Sequence, residues 1–195
     1  VKIITSGEGG MALTNDHKMH AHMERLRSHG ITREAESLTR EPDGIWYYEQ
    51  LELGFNYRMT DIQAALGLSQ LDRLEEFLER RNYLAQRYDE ALANLPVKRQ
   101  KVSEDVYSAR HLYVIRVSAK IHRLLFEILR REGIGVNLHY MPVHLQPYYR
   151  NLGFSEDQFP EAESYAKEAI SLPLFPDLSE EAQDFVIEIL KRELT

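Results

Sequence analysis

The chain has 195 residues, 43% of them hydrophobic and 28% charged, with no cysteine, a composition that excludes whole-chain disorder, collagen-like repeats, disulfides and thiolate chemistry. Twenty-four Lys and Arg against 31 Asp and Glu leave a formal charge of −7. That balance argues against nucleic acid or an anionic membrane as the main partner, so any anionic ligand needs local positive charge.

The length fits one domain, or one domain with part of another. No apolar run reaches the ~18–20 residues of a membrane-spanning helix, no signal-peptide pattern opens the chain, and the lack of cysteine makes the reducing cytoplasm the default location. The chain starts Val1-Lys2-Ile3 without an initiator methionine, which leaves processing or a preceding segment open.

In chain order, the β-prone Ile3, Ile4 and Thr5 run into Gly7, Gly9 and Gly10 and then Met11 to Thr14, a pattern that predicts strand, tight turn and strand. Asn15 or Asp16 caps a helix to about Ser28 in which Met19, Met23 and Leu26 keep spacings of four and three, and His29-Gly30 ends it. Ile31 to Leu53 is irregular, with an aromatic knot at Trp46, Tyr47 and Tyr48, and reads as a surface excursion with a few buried rings. Thr60-Asp61-Ile62-Gln63 is a capping box, so a helix begins there; Leu71, Leu74, Leu78, Ala85, Tyr88 and Leu92 carry it on as one long amphipathic helix ending before Pro96.

Lys98 to Arg110 is polar and reads as a connection to a second unit, which opens on the alternating, β-rich His111 to Val117. Ser118 caps a helix carrying Ile121, Leu124, Leu125, Ile128 and Leu129, with Gly133 as its stop. Val136 to His139 is predicted as a short strand broken by Pro142. A loop with Pro147, a helix through Ala162 to Ala169, an apolar Ile170 to Phe175 and a final helix capped by Ser179 complete a small α/β domain.

Among chemical candidates, Ser6-Gly7-Glu8-Gly9-Gly10 lacks both the Gly-Lys-Ser/Thr of a phosphate loop and the spaced glycines of a dinucleotide site, so alone it is a tight turn. Lys2, taken alone, is a surface amine. Eight histidines include His17, His20 and His22, but no His-Glu-x-x-His pattern, and no metal site is expected. Gly-x-Ser-x-Gly is absent, which removes the common serine-hydrolase signature.

Two clusters carry more. In Gly54-Phe55-Asn56-Tyr57-Arg58-Met59-Thr60-Asp61 an amide and a guanidinium sit just before a capped helix, a combination suited to phosphate, although a structural loop with Arg58 paired to a carboxylate is the competing account. His139-Tyr140-Met141-Pro142-Val143-His144 places polar groups at a strand end, where ligand groups are common, as are satisfied edge-strand histidines.

Taken with the start of the chain, these motifs resemble one family: the pyridoxal-phosphate-dependent nucleotide-sugar aminotransferases of the DegT-like group, of fold-type I. The landmarks are Val1-Lys2 followed by Ile-Thr-Ser-Gly-Glu-Gly-Gly, Leu13-Thr14-Asn15-Asp16, Arg27-Ser28-His29-Gly30, Gly54 through Ala65, His139-Tyr140-Met141-Pro142 and Ser171-Leu172-Pro173-Leu174, in order along essentially the whole chain. Trp46-Tyr47-Tyr48-Glu49-Gln50 into Gly54 is most similar to the branch serving pseudaminic acid biosynthesis, which makes UDP-4-amino-4,6-dideoxy-N-acetyl-β-L-altrosamine.

The resemblance implies an α/β fold comprising the C-terminal half of a fold-type I transferase: residues 1–95 as the trailing part of the large cofactor-binding domain with its linking helix, and 96–195 as the small C-terminal domain. It implies that Lys2 is the catalytic residue and holds pyridoxal 5′-phosphate covalently, that Asn56 reaches the cofactor phosphate of a neighbouring subunit in a homodimer with shared sites, and that Arg58 meets the nucleotide-sugar phosphates. It also implies that His139, Tyr140, Met141 and Pro142 line the sugar-nucleotide pocket.

The implied reaction moves an amino group, from glutamate as donor, to C4 of a UDP-linked 4-keto-6-deoxy sugar; a lysine in place of the histidine of dehydratase relatives favours transamination. Two alternatives stay open at this stage: transfer to another 4-keto nucleotide sugar, and a catalytically silent or regulatory cofactor-binding relative. The family's Ser-Phe-His before the lysine does not stand in this sequence, nor does the preceding half, so the chain is expected to be the C-terminal half of a longer enzyme.

Overall fold

A computed structural model describes residues 2–195. Contacts divide them into two compact units, Ile3–Asp72 and Arg73–Thr195, the second also taking Lys2.

In the first unit, α1 (His17–Arg27) starts where Asp16 accepts hydrogen bonds from the Lys18 and Met19 N–H groups at 2.8 and 3.2 Å, satisfying donors that the helix itself leaves free. It stops as read: His29 and Gly30 take left-handed φ of 66° and 71°, and the Gly30 N–H returns to the Arg25 carbonyl at 2.9 Å. β1 (Ile31–Thr32) and β2 (Glu49–Gln50) form an antiparallel ladder of two residue pairs, Ile31 with Gln50 and Thr32 with Glu49.

The segment 54–57 then crosses the end of α1. Its Phe55 and Tyr57 N–H groups donate to the Leu26 and Arg27 carbonyls at 2.7 and 3.0 Å, and the Phe55 carbonyl accepts from His29 N–H at 2.8 Å. Those helix carbonyls have no partner inside α1, so the crossing serves as its C-terminal cap. Gly54 is required for it, because a Cβ there would lie 2.1 Å from the Gly30 nitrogen and 2.4 Å from the His29 carbonyl carbon. α2 (Asp61–Leu71) follows.

Three local expectations change here. Residues 2–13 form no strand among the described residues; β propensity alone does not make one, since a strand needs a ladder partner. Trp46 and Tyr48 are exposed rather than buried. The long helix is two: α2 ends at Asp72, whose N–H reaches both the Leu68 and Gln70 carbonyls, and α3 (Leu74–Ala91) begins after Arg73 at φ −104°, ψ 7°. The apolar spacing continues across residues 72–73, so periodicity alone could not show the break.

The second unit holds α3, β3 (Lys98–Arg99), β4 (Tyr113–Arg116), α4 (Ala119–Arg131), α5 (Pro147–Arg150), α6 (Pro160–Glu168), β5 (Ala169–Leu172) and α7 (Glu180–Leu194). Its antiparallel sheet runs β3-β4-β5, with Tyr113 opposite Leu172 and Ile115 opposite Ile170. β4 alternates, Tyr113 and Ile115 inward and Val114 and Arg116 half-buried, whereas all four residues of β5 are buried.

The core joins Leu84, Tyr88 and Leu92 of α3 to Ile115, to Leu125 and Leu129 of α4, and to Val186, Ile189 and Leu190 of α7. α4 starts at Ser118, whose hydroxyl accepts from Lys120 N–H, and Gly133 follows it at φ 81°. Two readings are corrected. Lys98–Arg99, placed in a connection, pairs with Ile115 and Arg116 as an edge strand. Val136 to His139 is no strand: only Asn137 bridges, to Ser171. Its alternation is nonetheless partly kept, with Val136 buried and Leu138 half-buried.

Candidate functional site

In the first unit the candidate groups surround the start of α2. Thr60 Oγ1 accepts from the Gln63 N–H at 3.3 Å, and the Thr60 N–H donates to Gln63 Oε1 at 3.1 Å, the reciprocal capping box its sequence announces. Gln63 also reaches beyond its own helix. Its Nε2 donates to the Glu8 carbonyl at 2.8 Å, so the first turn of α2 anchors the glycine cluster. A Cβ at Gly9 would come 2.5 Å from Ser6 Oγ and 2.7 Å from Met59 Cε, so a larger residue there would require those side chains to turn away.

Asn56 is exposed and bridges Ser28 through the backbone. Its neighbours Phe55 and Tyr57 stack with ring centres 4.8 Å apart. Arg58 is also exposed and lines a groove of about 920 Å³ with Gly9, Gly10, Arg27, Met59 and Gln63. Arg58 joins no ion pair among the described residues.

In the second unit Lys2 Nζ lies 3.5 Å from Nε2 of His111, just before β4. The backbone there is held from α3. Buried Arg81 donates through Nη1 to the carbonyls of Arg110, His111 and Leu174 at 3.2, 3.3 and 3.0 Å, and Asn82 Nδ2 donates to the Ser108 carbonyl at 3.0 Å. Arg110 takes a left-handed φ of 47°, a conformation that costs free energy for a residue with a Cβ and persists where surrounding bonds hold it. The His111 Nδ1 is buried without a partner. Burial, followed by the charges of Lys2, Arg81 and His139, pushes the His111 imidazole below its ordinary value, so it is neutral at pH 7.

His139 stands beside β5, its Nδ1 2.8 Å from Ser171 Oγ. Tyr140, Met141 and Pro142 are exposed, and Pro142 opens the 3₁₀ turn Val143–Leu145. His144 is buried with Glu163 of α6, Nε2 to Oε1 at 2.9 Å. That oxygen also accepts the Asp157 N–H at 2.8 Å. The pair is structural: it fixes the turn after Pro142 to α6.

Sequence reading missed His111, Arg81 and the His144–Glu163 pair. A signal existed for Arg81, which falls with Phe77, Leu84, Ala85 and Tyr88 on the buried stripe of α3. A charged residue on such a stripe must find partners.

The Glu163 carboxyl is held below the ordinary carboxylate range, first by the hydrogen bond with His144 and then by the Asp157 N–H. A depressed carboxyl contributes stability that is present above its unfolded value and is lost as pH falls through the folded one. We expect Glu163→Gln to flatten the acid limb of stability against pH, read as denaturation midpoints between about pH 3 and 7.

Among the described residues no group of three or more His, Asp or Glu is placed to hold a metal ion, and no helix is long and apolar enough to cross a membrane.

Comparison with known proteins follows the same line. The model of the DegT/DnrJ/EryC1/StrS aminotransferase family matches residues 1–191. The spore coat polysaccharide biosynthesis protein SpsC of Bacillus subtilis is 38% identical over 97% of this chain and 50% of its own length. The sugar aminotransferase Spr1654 of Streptococcus pneumoniae, solved in its PMP form, superposes with a TM-score of 0.83 at 35% identity, over 94% of this chain and 46% of that one. PseC of Helicobacter pylori, an aminotransferase of pseudaminic acid biosynthesis, gives 0.81 at 28% identity, over 93% and 47%. The chain spans about half the length of the curated relatives it matches.

Proposed function

The chain belongs to the DegT/DnrJ/EryC1/StrS aminotransferase family, and from that premise we propose that it is the C-terminal half of an enzyme moving an amino group from glutamate to C4 of a UDP-linked 4-keto-6-deoxy sugar, in surface-glycan synthesis of the pseudaminic acid type. The match along residues 1–191, which takes in Lys2, Asn56, Arg58 and the segment His139–Pro142, is the observation that supports the reading. Its α/β fold is that of sugar aminotransferases over about 46% of their length, and relatives solved in PLP and PMP forms are in keeping with the family's dependence on pyridoxal phosphate.

The donor set fits that cofactor. Lys2 offers a primary amine in an exposed position, and Asn56 offers an exposed amide beside the capped start of α2. The Lys2 amine suits attachment to an aldehyde, and the Asn56 amide donates to phosphate. Pyridoxal phosphate supplies the electron sink for carbanion chemistry when bound.

The remaining work falls to the chain's own groups. Lys2 Nζ, when free, accepts a proton and returns it one position away, a transfer that requires the amine neutral and close. Arg58 carries a guanidinium fork that pairs with no carboxylate among the described residues, and it binds a diphosphate through two parallel N–H donors. His139, fixed by Ser171, with Tyr140, Met141 and Pro142, lines the sugar side of the pocket. The two subunits of a homodimer share each site in this reading.

The test is direct transfer. Full-length protein, glutamate and a panel of 4-keto UDP-sugar isomers are incubated, and products are read by mass. An amino sugar from the L-altro isomer supports the fine assignment. Product only from another isomer removes the pseudaminic acid reading, and no product from any isomer removes the aminotransferase reading in favour of a silent relative.

A further inference from the structure

We propose that His111 is a positioning residue for the Lys2 amine: its imidazole accepts a hydrogen bond from Nζ through Nε2 and holds the amine against the segment before β4. The inference rests on the reading of Lys2 as the cofactor lysine, and adds a residue that the sequence pattern assigned only to a β-rich run.

Three observations bear on it. His111 Nε2 is the one side-chain partner of Lys2 among the described residues, at 3.5 Å. The other ring nitrogen, Nδ1, is buried and unpartnered; with Nε2 as acceptor it carries the ring proton without an acceptor, a cost that the contact of Nε2 with the amine has to offset. The backbone that carries the ring is overdetermined: Arg81 gives hydrogen bonds to both the Arg110 and His111 carbonyls from inside the core, and the strained Arg110 precedes it.

Arg81 has no carboxylate partner among the described residues and donates only to carbonyls. Such a clamp orders backbone and adds positive charge near the ring. Burial first, and then positive charge from Lys2 and from Arg81 on α3, disfavours the imidazolium. The ring is therefore kept as an acceptor, the form in which it can receive a proton-bearing amine.

The pair can be read from the histidine side, because Lys2 lies against the ring and its positive charge opposes the imidazolium. The experiment uses that effect in the full-length protein, freed of cofactor. The His111 ring is titrated by NMR in wild type and in Lys2→Met; an upward move of about half a unit or more is expected, from removal of one nearby positive charge.

In parallel, acetylation of Lys2 in competition with the protein's other lysines is read by mass. His111→Leu should raise Lys2 labelling by about threefold or more, because the amine loses its acceptor, while His111→Gln, which keeps an acceptor near the Nε2 position, should stay within about twofold of wild type. An unmoved titration with unchanged labelling overturns the proposal, and the internal standard of the other lysines separates that result from general unfolding.

Borohydride reduction of the cofactor-loaded protein distinguishes the two layers. Coupling present with no cofactor trapped on Lys2 overturns the cofactor reading and keeps the pair; cofactor on Lys2 with no coupling overturns the role of His111.

Discussion

Lys2→Ala in the full-length protein is expected to lower the rate of amino transfer at least about 10³-fold while leaving cooperative unfolding in place. The size follows from the two roles proposed for one atom, covalent attachment of the cofactor and movement of a proton, each of which would lose its only group on truncation. The stability side follows from exposure. Lys2 is exposed, and its side chain has a single hydrogen-bonding contact among the described residues, to His111, so deletion leaves no cavity and strands no buried charge. Rate measured beside a denaturation curve checks both halves. A variant that loses activity only in step with its fold contradicts the assignment, as does one that keeps most of its activity.

The second large effect is structural. Leu129 on α4 is fully buried, in one core with Leu84, Tyr88, Ile115 and Leu190. Leu129→Ala is expected to cost about 2–5 kcal/mol, the lost transfer of its apolar atoms plus the cavity they leave. α4 itself would persist, since its Ser118 cap is untouched and alanine is a strong helix former. The loss should therefore appear as a lower denaturant midpoint with native helix content. Leu124, on the same helix but exposed, provides the control: Leu124→Ala is expected to change stability by about 0.5 kcal/mol or less.

How much of the fold is legible in the sequence depends on whether the cause is local. The caps at Asp16, Thr60, Ser118 and Ser179 are short-range hydrogen bonds written in a few adjacent residues, and each helix begins where they stand. Gly30 and Gly133 likewise mark left-handed stops.

Strands are different, because their partners lie far along the chain. Ile3 to Thr5 and Val136 to His139 have the composition of strands, but only Asn137 finds a bridge, while the polar Lys98–Arg99 pairs with β4 as an edge. The break at residues 72–73 is hidden for a related reason: the leucine spacing satisfies either one helix or two.

The candidate residues divide along the same line. The capped start of α2, beside which Asn56 and Arg58 stand, is local and legible, though Gln63's reach to the Glu8 carbonyl is not visible in the sequence. The meeting of Lys2 and His111, 109 residues apart, leaves no trace in spacing. Nor does the bond from His139 to Ser171 on β5. Motif order supplied the family, and geometry supplied the partners.

Peptide mapping of the protein after borohydride reduction tests the central claim most directly. Full-length protein loaded with pyridoxal phosphate is reduced and digested, and the peptides are weighed. The account predicts one phosphopyridoxyl group, on the peptide that contains Lys2; the group on any other lysine, or on none, would contradict it.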